Sequence, residues 1–322
     1  MRFDPYGTKF VPYFAIMTAM KKAALVYDFD KTLCDRDMQE YSLIPDLGYG
    51  EPGQFWAEVD HTAKENRMVG ISAYLFVLMK KFREAGNPLT KDHFRGLGAK
   101  IALNPGVETW FKRINEYGAN CGLEVEHYII SSGMEEILEG TTIAQQFRKI
   151  YACRYYYNEE GHAEWPALIV NYTTKTQYLF RINKQVLDES NERDLNTWVP
   201  MQERAVPFER MIYIADGLTD VPCMKMTKQK GGYSIAVHAP GQTELADDML
   251  LQGRVDFSVE ADYTPDSEIE QVVTMLMRRI RASHELTLRH AEQVQRAHRR
   301  RGKYVPLDIP MRGGLEDGED VE

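Results

Sequence analysis

The chain has 322 residues, of which 43% are hydrophobic and 27% charged, a composition typical of a folded globular protein rather than a disordered one. Its formal net charge of −9 at pH 7 argues against a general nucleic-acid binder and against attachment to an anionic membrane surface. The four cysteines show no CxxC spacing, so we predict neither a zinc site nor a disulfide framework and expect a cytoplasmic location. No apolar run approaches the roughly 18 residues that a membrane-spanning helix needs, so no membrane partner is expected.

The first predicted element is a strand over residues 24–33, ALVYDFDKTL, whose apolar run ends in two carboxylates, Asp28 and Asp30, with Thr32 just beyond. A continuous apolar run of this length is typical of a strand buried on both faces of a parallel sheet, and open α/β sheets bind ligands beyond the carboxyl ends of their strands. Two like charges so close together repel each other unless a cation lies between them or one of them is protonated. The sequence therefore indicates a functional site here, with Mg²⁺ as the candidate cation.

The segment that follows, residues 37–100, is predicted to be helical. Apolar side chains recur at helical spacing over residues 54–66 and again over residues 71–84, and Thr90 is a candidate N-cap for a third, shorter helix. A further amphipathic helix is predicted over residues 107–118, ending at a glycine.

A second apolar strand, EHYIISSG, leads to Ser131 near its end. Two β-rich runs around a Glu-Glu-Gly turn then predict a hairpin over residues 151–170. Lys175 opens a predicted helix, TKTQYLFRIN. The polar stretch from about residue 184 to residue 208 shows little periodicity, and the sequence assigns it no role.

A third strand, MIYIADGLTD, ends in Asp216, with Asp220 four residues later, and SIAVHAPG predicts a fourth. Residues 265–301 are predicted to form an arginine-rich helix, and residues 302–322 a disordered acidic tail. The helix could serve as an arm for nucleic acid or a partner protein, but a solvated face turned toward the acidic tail is the favoured interpretation. A nucleic-acid partner is therefore not expected.

Four of these elements carry the motif residues: the strand that ends in Asp28 and Asp30, the strand with Ser131, the helix opened by Lys175, and the strand that ends in Asp216. In this order they resemble the motifs of the haloacid dehalogenase superfamily, most closely its phosphatases of the phosphoserine phosphatase type. The resemblance runs from Lys22 to about Tyr263. It implies an α/β fold with a Rossmann-like parallel sheet flanked by helices, formed by residues 20–36 and 101–264, and a helical cap of the first cap class at residues 37–100. Because MKKAALVYDFD already opens this fold completely, we expect residues 1–19 to be an extension upstream of a functional start at Met20.

The same resemblance implies the chemistry of the site. Asp28 would be the nucleophile that attacks phosphorus, and Asp30 would protonate the leaving oxygen and then deprotonate the attacking water. Ser131 and Lys175 would hold the phosphoryl oxygens. A second carboxyl group is not needed for halide departure, so Asp30 argues against dehalogenation.

The implied cofactor is Mg²⁺, because carboxylates and carbonyls are the hard ligands that it prefers. Its ligands would be Asp28, Asp216 and the backbone carbonyl of Asp30, with Asp220 supporting the ion directly or through water. Four further residues are candidates for substrate binding, namely Thr32, Ser132, Gly133 and Arg36. For Arg36 a surface salt bridge is an equally good interpretation.

The predicted function is therefore that of an Mg²⁺-dependent phosphatase acting on a small phosphorylated metabolite, since a lid of this size favours small substrates. A phosphomutase or phosphotransferase would use the same residues, and a regulatory protein could keep the fold without turnover. The sequence leaves open the natural substrate and the oligomeric state.

Overall fold

The computed structural model of the chain describes residues 21–87 and 89–301. The predictions for residues 1–19 and for the acidic tail, residues 302–322, lie outside the described residues. The centre of the fold is one seven-stranded sheet with the order β4-β3-β2-β1-β5-β6-β7. Its strands are β1 (Lys21–Tyr27), β2 (Leu123–Met134), β3 (Lys149–Tyr157), β4 (Ala163–Leu168), β5 (Met211–Ala215), β6 (Tyr233–His238) and β7 (Phe257–Glu260).

The central strand is β1, which pairs in parallel with β2 on one side and β5 on the other. Its residues from Ala23 to Tyr27 are fully buried, as expected for an apolar strand covered on both faces. All neighbouring strands are parallel except the β3–β4 pair. The carboxyl ends of β1, β2 and β5 therefore meet at one edge of the sheet, and the predicted fold class is confirmed.

Five helices lie between β1 and β2 before the chain returns to the sheet through α6. They are α1 (Met38–Tyr41), α2 (Leu43–Asp46), α3 (Pro52–Asn66), α4 (Gly70–Glu84) and α5 (Lys91–Gly98), and α6 spans Val107–Asn120. The Thr90 hydroxyl accepts a hydrogen bond from the His93 backbone N–H at 3.2 Å, so this residue caps α5 as predicted. Phe55 and Tyr74 pack edge to face between α3 and α4, which buries the predicted apolar faces against each other.

The prediction that α6 ends at Gly118 is wrong by two residues, because the helix continues to Asn120. Gly118 serves close packing instead: a Cβ atom there would lie 2.4 Å from the Val125 side chain on β2. The glycine that terminates this region is Gly122, with φ 71°. Sequence alone does not distinguish a glycine that ends a helix from one that lets a strand approach it.

The predicted hairpin is present as β3 and β4, which pair antiparallel. It is followed by α8 (Lys175–Lys184) and α9 (Glu192–Asn196), with the short α7 (Glu135–Glu139) directly after β2. The stretch after α8 is ordered by Arg181, whose buried guanidinium donates to four backbone carbonyl oxygens between residues 186 and 191. Lys184 donates to the Leu195 and Thr197 carbonyls in the same way, so polar side chains of α8 rather than an apolar pattern hold this stretch.

The remaining helices are α10 (Val221–Gln229), α11 (Glu244–Leu251) and α12 (Glu268–Arg300), and 3₁₀ turns include Phe208–Arg210 and Leu218–Asp220. The arginine-rich helix α12 begins three residues later than predicted. Its first half buries Ile269, Val273 and Met277 against the core. Among the described helices, none combines the length and the apolar character that a membrane crossing requires.

Candidate functional site

Three carboxylates converge at the carboxyl edge of the sheet. Asp28 follows β1 directly, and its backbone N–H donates to the Ile214 carbonyl on β5 at 3.0 Å. Asp216 follows β5, and Asp220 ends the 3₁₀ turn that leads into α10. One carboxylate oxygen from each of Asp28, Asp216 and Asp220 lies within 4.8 Å of the others. The structure thus brings together carboxylates from two neighbouring strand ends.

The counter-charge to this cluster is Lys175, the first residue of α8, whose side chain is 1% exposed. Its Nζ lies 2.7 Å from Asp220 Oδ1 and 3.2 Å from Asp28 Oδ2. Asp220 is fully buried and also accepts a hydrogen bond from the Tyr213 hydroxyl at 2.6 Å. Burial alone would lower the pKa of Lys175, but the Asp220 and Asp28 carboxylates outweigh it and raise the pKa, so the lysine carries a charge.

Burial and mutual repulsion raise the pKa values of the carboxyl groups. Burial is the largest cause for Asp28, whose pKa lies well above its usual range, with Asp220 adding to the effect and Lys175 opposing it. Burial, and then Asp220, raise the pKa of Asp216 to about 6. One lysine leaves negative charge uncompensated among three carboxylates, and hard oxygen ligands suit Mg²⁺. Asp28, Asp216 and Asp220 could therefore hold a divalent cation.

Asp30 lies two residues beyond the cluster's first carboxylate and has a different environment. Its Oδ1 accepts a hydrogen bond from the Met38 backbone N–H at 2.8 Å. Burial, and then the negative charge of Asp37, raise the pKa of Asp30 to about 8. Lys31, in the left-handed backbone conformation with φ 55°, points its Nζ to within 2.9 Å of Asp37. The Asp30 carboxyl group is therefore largely protonated at neutral pH and able to donate a proton.

Ser131, Ser132 and Gly133 lie in an irregular segment at the end of β2, where the pairing with β3 changes register. The buried Ser131 hydroxyl accepts a hydrogen bond from the Gly133 backbone N–H at 3.0 Å. A Cβ atom on Gly133 would lie 2.1 Å from the terminal methyl of Met38. The glycine thus allows Met38 to pack directly onto this segment.

Thr32 is buried, and its hydroxyl oxygen has no hydrogen-bond partner among residues 21–87 and 89–301. Its backbone carbonyl accepts from the Asn104 amide at 2.9 Å and from the Tyr263 hydroxyl at 3.1 Å. Asn104 also donates to the Cys34 carbonyl, at 3.3 Å. Sequence reasoning missed Asn104, Tyr263 and Met38, because a lone amide, phenol or thioether carries no motif.

Arg36 lies apart from the other predicted site residues. Half of its side chain is exposed, and its guanidinium forms two hydrogen bonds of 3.0 Å with the Asp35 carboxylate. It also lies over the Tyr41 ring, 5.1 Å from the centroid. Of the two interpretations of Arg36, the surface ion pair is the one present in the structure.

A cleft of about 610 Å³ opens beside the carboxylate cluster, on the side of β6 and β7. Asp216 and Lys31 line its inner end, and His238 and Asp262 are part of its outer wall. Of the three cluster carboxylates, Asp216 is the one that lines this cleft and is open to solvent through it.

Comparison with known protein sequences gives a family match and a relative. A model of the family described as Putative Phosphatase matches residues 23–237. A protein of Borreliella burgdorferi described as uncharacterized is 27% identical over 275 residues, covering 76% of this chain and 93% of the relative.

Two solved structures share the fold at low identity. One is a HAD family hydrolase from Salmonella enterica serovar Typhi, with a TM-score of 0.52 and 15% identity over 78% of this chain and 74% of that chain. The other is a probable phosphoserine phosphatase from Vibrio cholerae, with a TM-score of 0.51 and 12% identity over 82% of this chain and 67% of that chain. Because the family match spans more than half of the sequence, the chain belongs to the Putative Phosphatase family, and it shares its fold with the HAD family hydrolase.

Proposed function

We propose that this protein is an Mg²⁺-dependent phosphatase that hydrolyses a small phosphate monoester through a phosphoaspartate at Asp28. The observation that carries the proposal is the buried cluster of Asp28, Asp216 and Asp220 around Lys175, with the protonated Asp30 two residues beyond the nucleophile. Phosphoryl transfer needs a nucleophile, a proton donor for the leaving oxygen, and positive charge around the transferring group, and this set supplies all three.

In the first half-reaction Asp28 reacts as the carboxylate, the form that Lys175 and a bound cation favour against the effect of burial on its pKa, and one of its oxygens attacks phosphorus. The bond between phosphorus and the ester oxygen breaks, and the departing alkoxide takes the proton of Asp30, so that an alcohol leaves. Lys175 lies 3.2 Å from Asp28 Oδ2 and therefore keeps positive charge next to the position of the transferring group. Mg²⁺ held by Asp28 and Asp216 would neutralise further negative charge on the phosphoryl oxygens.

In the second half-reaction Asp30, now ionised, accepts a proton from a water molecule that attacks the phosphoaspartate. The bond between phosphorus and the Asp28 oxygen breaks, which releases inorganic phosphate and restores both carboxyl groups to their starting states. Ser131, buried at the end of β2, would donate its hydroxyl hydrogen to a phosphoryl oxygen.

A small substrate is proposed because the helical segment 37–100 contacts the catalytic residues themselves and would act as a cap. Met38 donates its backbone N–H to Asp30 and is 1% exposed, with its side chain packed on Gly133. A phosphoprotein loop would have to displace this contact, whereas a small ester needs only a limited opening.

The decisive experiment measures phosphate release from p-nitrophenyl phosphate with and without Mg²⁺, comparing the wild type with Asp28→Asn and Asp60→Asn. Asp60 is the matched control, since it is an exposed aspartate on α3 and does not line the cleft beside the carboxylate cluster. We expect release that requires Mg²⁺, is lost in Asp28→Asn and persists in Asp60→Asn. Equal release from the Asp28→Asn variant would contradict the proposal.

A phosphomutase or phosphotransferase is the second candidate, because an acceptor hydroxyl could reach the phosphoaspartate before water does. Product analysis with a phosphate monoester and a large excess of an alcohol separates the two. Hydrolysis gives inorganic phosphate in amounts equal to the alcohol released, whereas transfer gives a new phosphate ester. A non-catalytic regulatory role would leave the substrate unchanged in both assays.

A further inference from the structure

The chain returns from the helical segment to the sheet through a short connection, residues 99–106, between α5 and α6. This connection runs beside the start of the helical segment, because Cys34 and Leu103 form an isolated antiparallel bridge. The next residue, Asn104, contacts the catalytic loop, residues 28–34, which carries both Asp28 and Asp30. The connection therefore lies against the loop that performs the proposed chemistry.

Asn104 donates hydrogen bonds to three successive carbonyl oxygens of the catalytic loop. Its backbone N–H donates to the Leu33 carbonyl at 2.9 Å. Its side-chain amide donates to the Thr32 carbonyl at 2.9 Å and to the Cys34 carbonyl at 3.3 Å. An amide nitrogen has two N–H donors, so one side chain can bind both carbonyls at the same time. A single residue therefore holds the backbone of residues 32–34.

A second donor reaches the same loop from the segment that follows β7. The Tyr263 hydroxyl donates to the Thr32 carbonyl at 3.1 Å. The Tyr263 side chain is fully buried, and its ring packs edge to face on Trp110 at 5.2 Å between centroids. The Tyr263 backbone N–H donates to the Pro105 carbonyl at 2.8 Å, and Arg113 of α6 donates to the Tyr263 carbonyl. The hydroxyl that contacts the loop is thus itself fixed by its surroundings.

The two aspartates of the catalytic loop are positioned by different contacts. Asp28 directly follows β1, and its backbone N–H bonds to β5, so the sheet fixes its position. Asp30 lies two residues further on, in a turn where the Leu33 backbone N–H donates back to the Phe29 carbonyl at 2.8 Å. Asn104 holds the far side of that turn. The backbone that carries Asp30 therefore depends on Asn104 more than the backbone that carries Asp28 does.

We propose that Asn104 is a positioning residue that holds the Asp30 carboxyl group within reach of the leaving oxygen, while the sheet holds Asp28. The inference rests on the proposed function, in which Asp30 is the proton donor. A proton donor acts only within hydrogen-bond distance of the leaving oxygen, and a displacement of about 1 Å can cost about 10²-fold in rate. Attack by Asp28 on an ester with a stable leaving anion does not need that proton. Loss of the Asn104 side chain should therefore slow the hydrolysis of esters with a poor leaving group selectively.

The test compares kcat/KM for an alkyl phosphate and for p-nitrophenyl phosphate in the wild type, Asn104→Ala and Asn183→Ala. Asn183 is the matched control, because its buried side-chain amide also donates to a backbone carbonyl, that of Val206, at 2.9 Å. It lies at the other end of α8 from Lys175. We expect Asn104→Ala to lose about 10²-fold in kcat/KM for the alkyl ester and much less for the aryl ester. In Asn183→Ala any loss should be the same for both esters, because it reflects the folded fraction alone.

Tyr263→Phe is the second variant, and it decides the question if Asn104→Ala does not fold. It removes one donor to the Thr32 carbonyl and keeps the ring that packs on Trp110. Because a single hydrogen bond is lost, kcat/KM for the alkyl ester should fall by no more than about tenfold. The loss should again be larger for the alkyl ester than for the aryl ester.

Backbone hydrogen exchange of residues 28–34, measured by mass spectrometry on the same full-length variants, reports on the loop without any turnover. Exchange should be faster in Asn104→Ala than in the wild type and unchanged in Asn183→Ala. The positioning role is overturned if Asn104→Ala lowers kcat/KM equally for both esters or not at all, or if exchange of the loop is unchanged. If the wild type hydrolyses neither ester, the proposed function and the role toward the leaving oxygen both fail, whereas faster exchange would still show that Asn104 holds the loop.

Discussion

The two edges of the sheet accumulate charge of opposite sign and deal with it differently. At the carboxyl edge Asp28, Asp216 and Asp220 are brought together, and a buried lysine from α8 contacts two of them. At the amino edge Lys21 and Arg210 approach each other without a carboxylate in contact in the described part of the chain. The acidic edge carries its own counter-ion in Lys175, whereas Lys21 and Arg210 have no carboxylate in contact within the described residues.

The two edges show that a charged side chain that is deeply buried contacts an opposite charge, whereas partly buried ones do not. Lys175 is 1% exposed and Asp220 fully buried, and the contact between their side chains offsets the desolvation that this burial costs. Lys21 and Arg210 are only partly buried, so water still solvates them while no counter-charge is present. Lys175 at the carboxyl edge should therefore contribute far more to the free energy of unfolding than Lys21 at the amino edge.

The largest effect is expected for Lys175→Gln. Removing the cation leaves buried carboxylates unpaired, which should cost about 3–5 kcal/mol of unfolding free energy and abolish turnover. The pKa of Asp28 is higher in the folded than in the unfolded chain, so the unfolding free energy falls as the pH rises above the usual aspartate range. Lys175 opposes this rise in pKa, and its removal increases the difference between the two states. The loss of unfolding free energy in Lys175→Gln, measured by urea unfolding, should therefore be greater at pH 8 than at pH 5. A loss independent of pH would contradict this assignment.

Asp30→Asn tests whether a protonated carboxyl group at the acidic edge donates its proton to the leaving oxygen. With an alkyl phosphate, whose leaving oxygen needs a proton, kcat/KM, which reports on formation of the phosphoaspartate, should fall about 10²–10⁴-fold. With p-nitrophenyl phosphate, whose leaving group is already stable as an anion, the loss in kcat/KM should be much smaller. In the wild type, kcat/KM for the alkyl ester should decrease above pH 8, where Asp30, with a pKa of about 8, loses its proton. Equal losses in kcat/KM for both esters would argue against Asp30 as the proton donor.

A smaller effect is expected from Gly133→Ala, which probes the packing of the acidic edge rather than its charge. The new methyl would lie 2.1 Å from the Met38 terminal methyl, so the side chain must move, at a cost of about 1–3 kcal/mol. KM should change along with kcat, because the Met38 backbone also holds Asp30. In a double-mutant cycle, Gly133→Ala should cost less unfolding free energy in a Met38→Ala background than in the wild type. An equal cost in both backgrounds would show that Gly133 is needed for a reason other than this contact.

The smallest effect is expected from Lys21→Gln, the matched lysine at the basic edge. It removes repulsion with Arg210 and no ion pair, so the unfolding free energy should stay within about 0.5 kcal/mol of the wild type. Any change should be a gain at low salt, which added sodium chloride would reduce. A loss as large as that of Lys175→Gln would remove the contrast between the two edges.

Much of the fold and the convergence at the site could be predicted from the sequence. Apolar runs that end in Asp28 and Asp216 are a local signal, and parallel pairing brings such strand ends to one edge of the sheet. The position of Lys175 at the start of a helix was also predicted correctly. Local patterns suffice for these residues because their placement follows directly from the element on which each lies.

The rest depends on contacts between distant parts of the chain. Asn104 donates to the carbonyl of Thr32, a contact between residues far apart in sequence that leaves no periodic trace. Arg181 is buried among backbone carbonyls, although arginine is a residue type usually expected at the surface. In the same way, the packing of Gly118 on Val125 explains why the predicted end of α6 was wrong. Tertiary packing, rather than propensity, decides each of these cases.

The strand order also determines when the catalytic centre can form during synthesis. β1 is the first described strand to leave the ribosome, but it lies in the middle of the sheet, and its partner β5 follows after most of the chain. Until β5 emerges, β1 has no paired strand on one side, and neither Asp216 nor Asp220 is present beside Asp28. Non-local pairing of this kind makes folding slow and leaves an apolar strand open to wrong partners. We therefore expect nascent chains that stop before α10 to depend on chaperones and to be inactive.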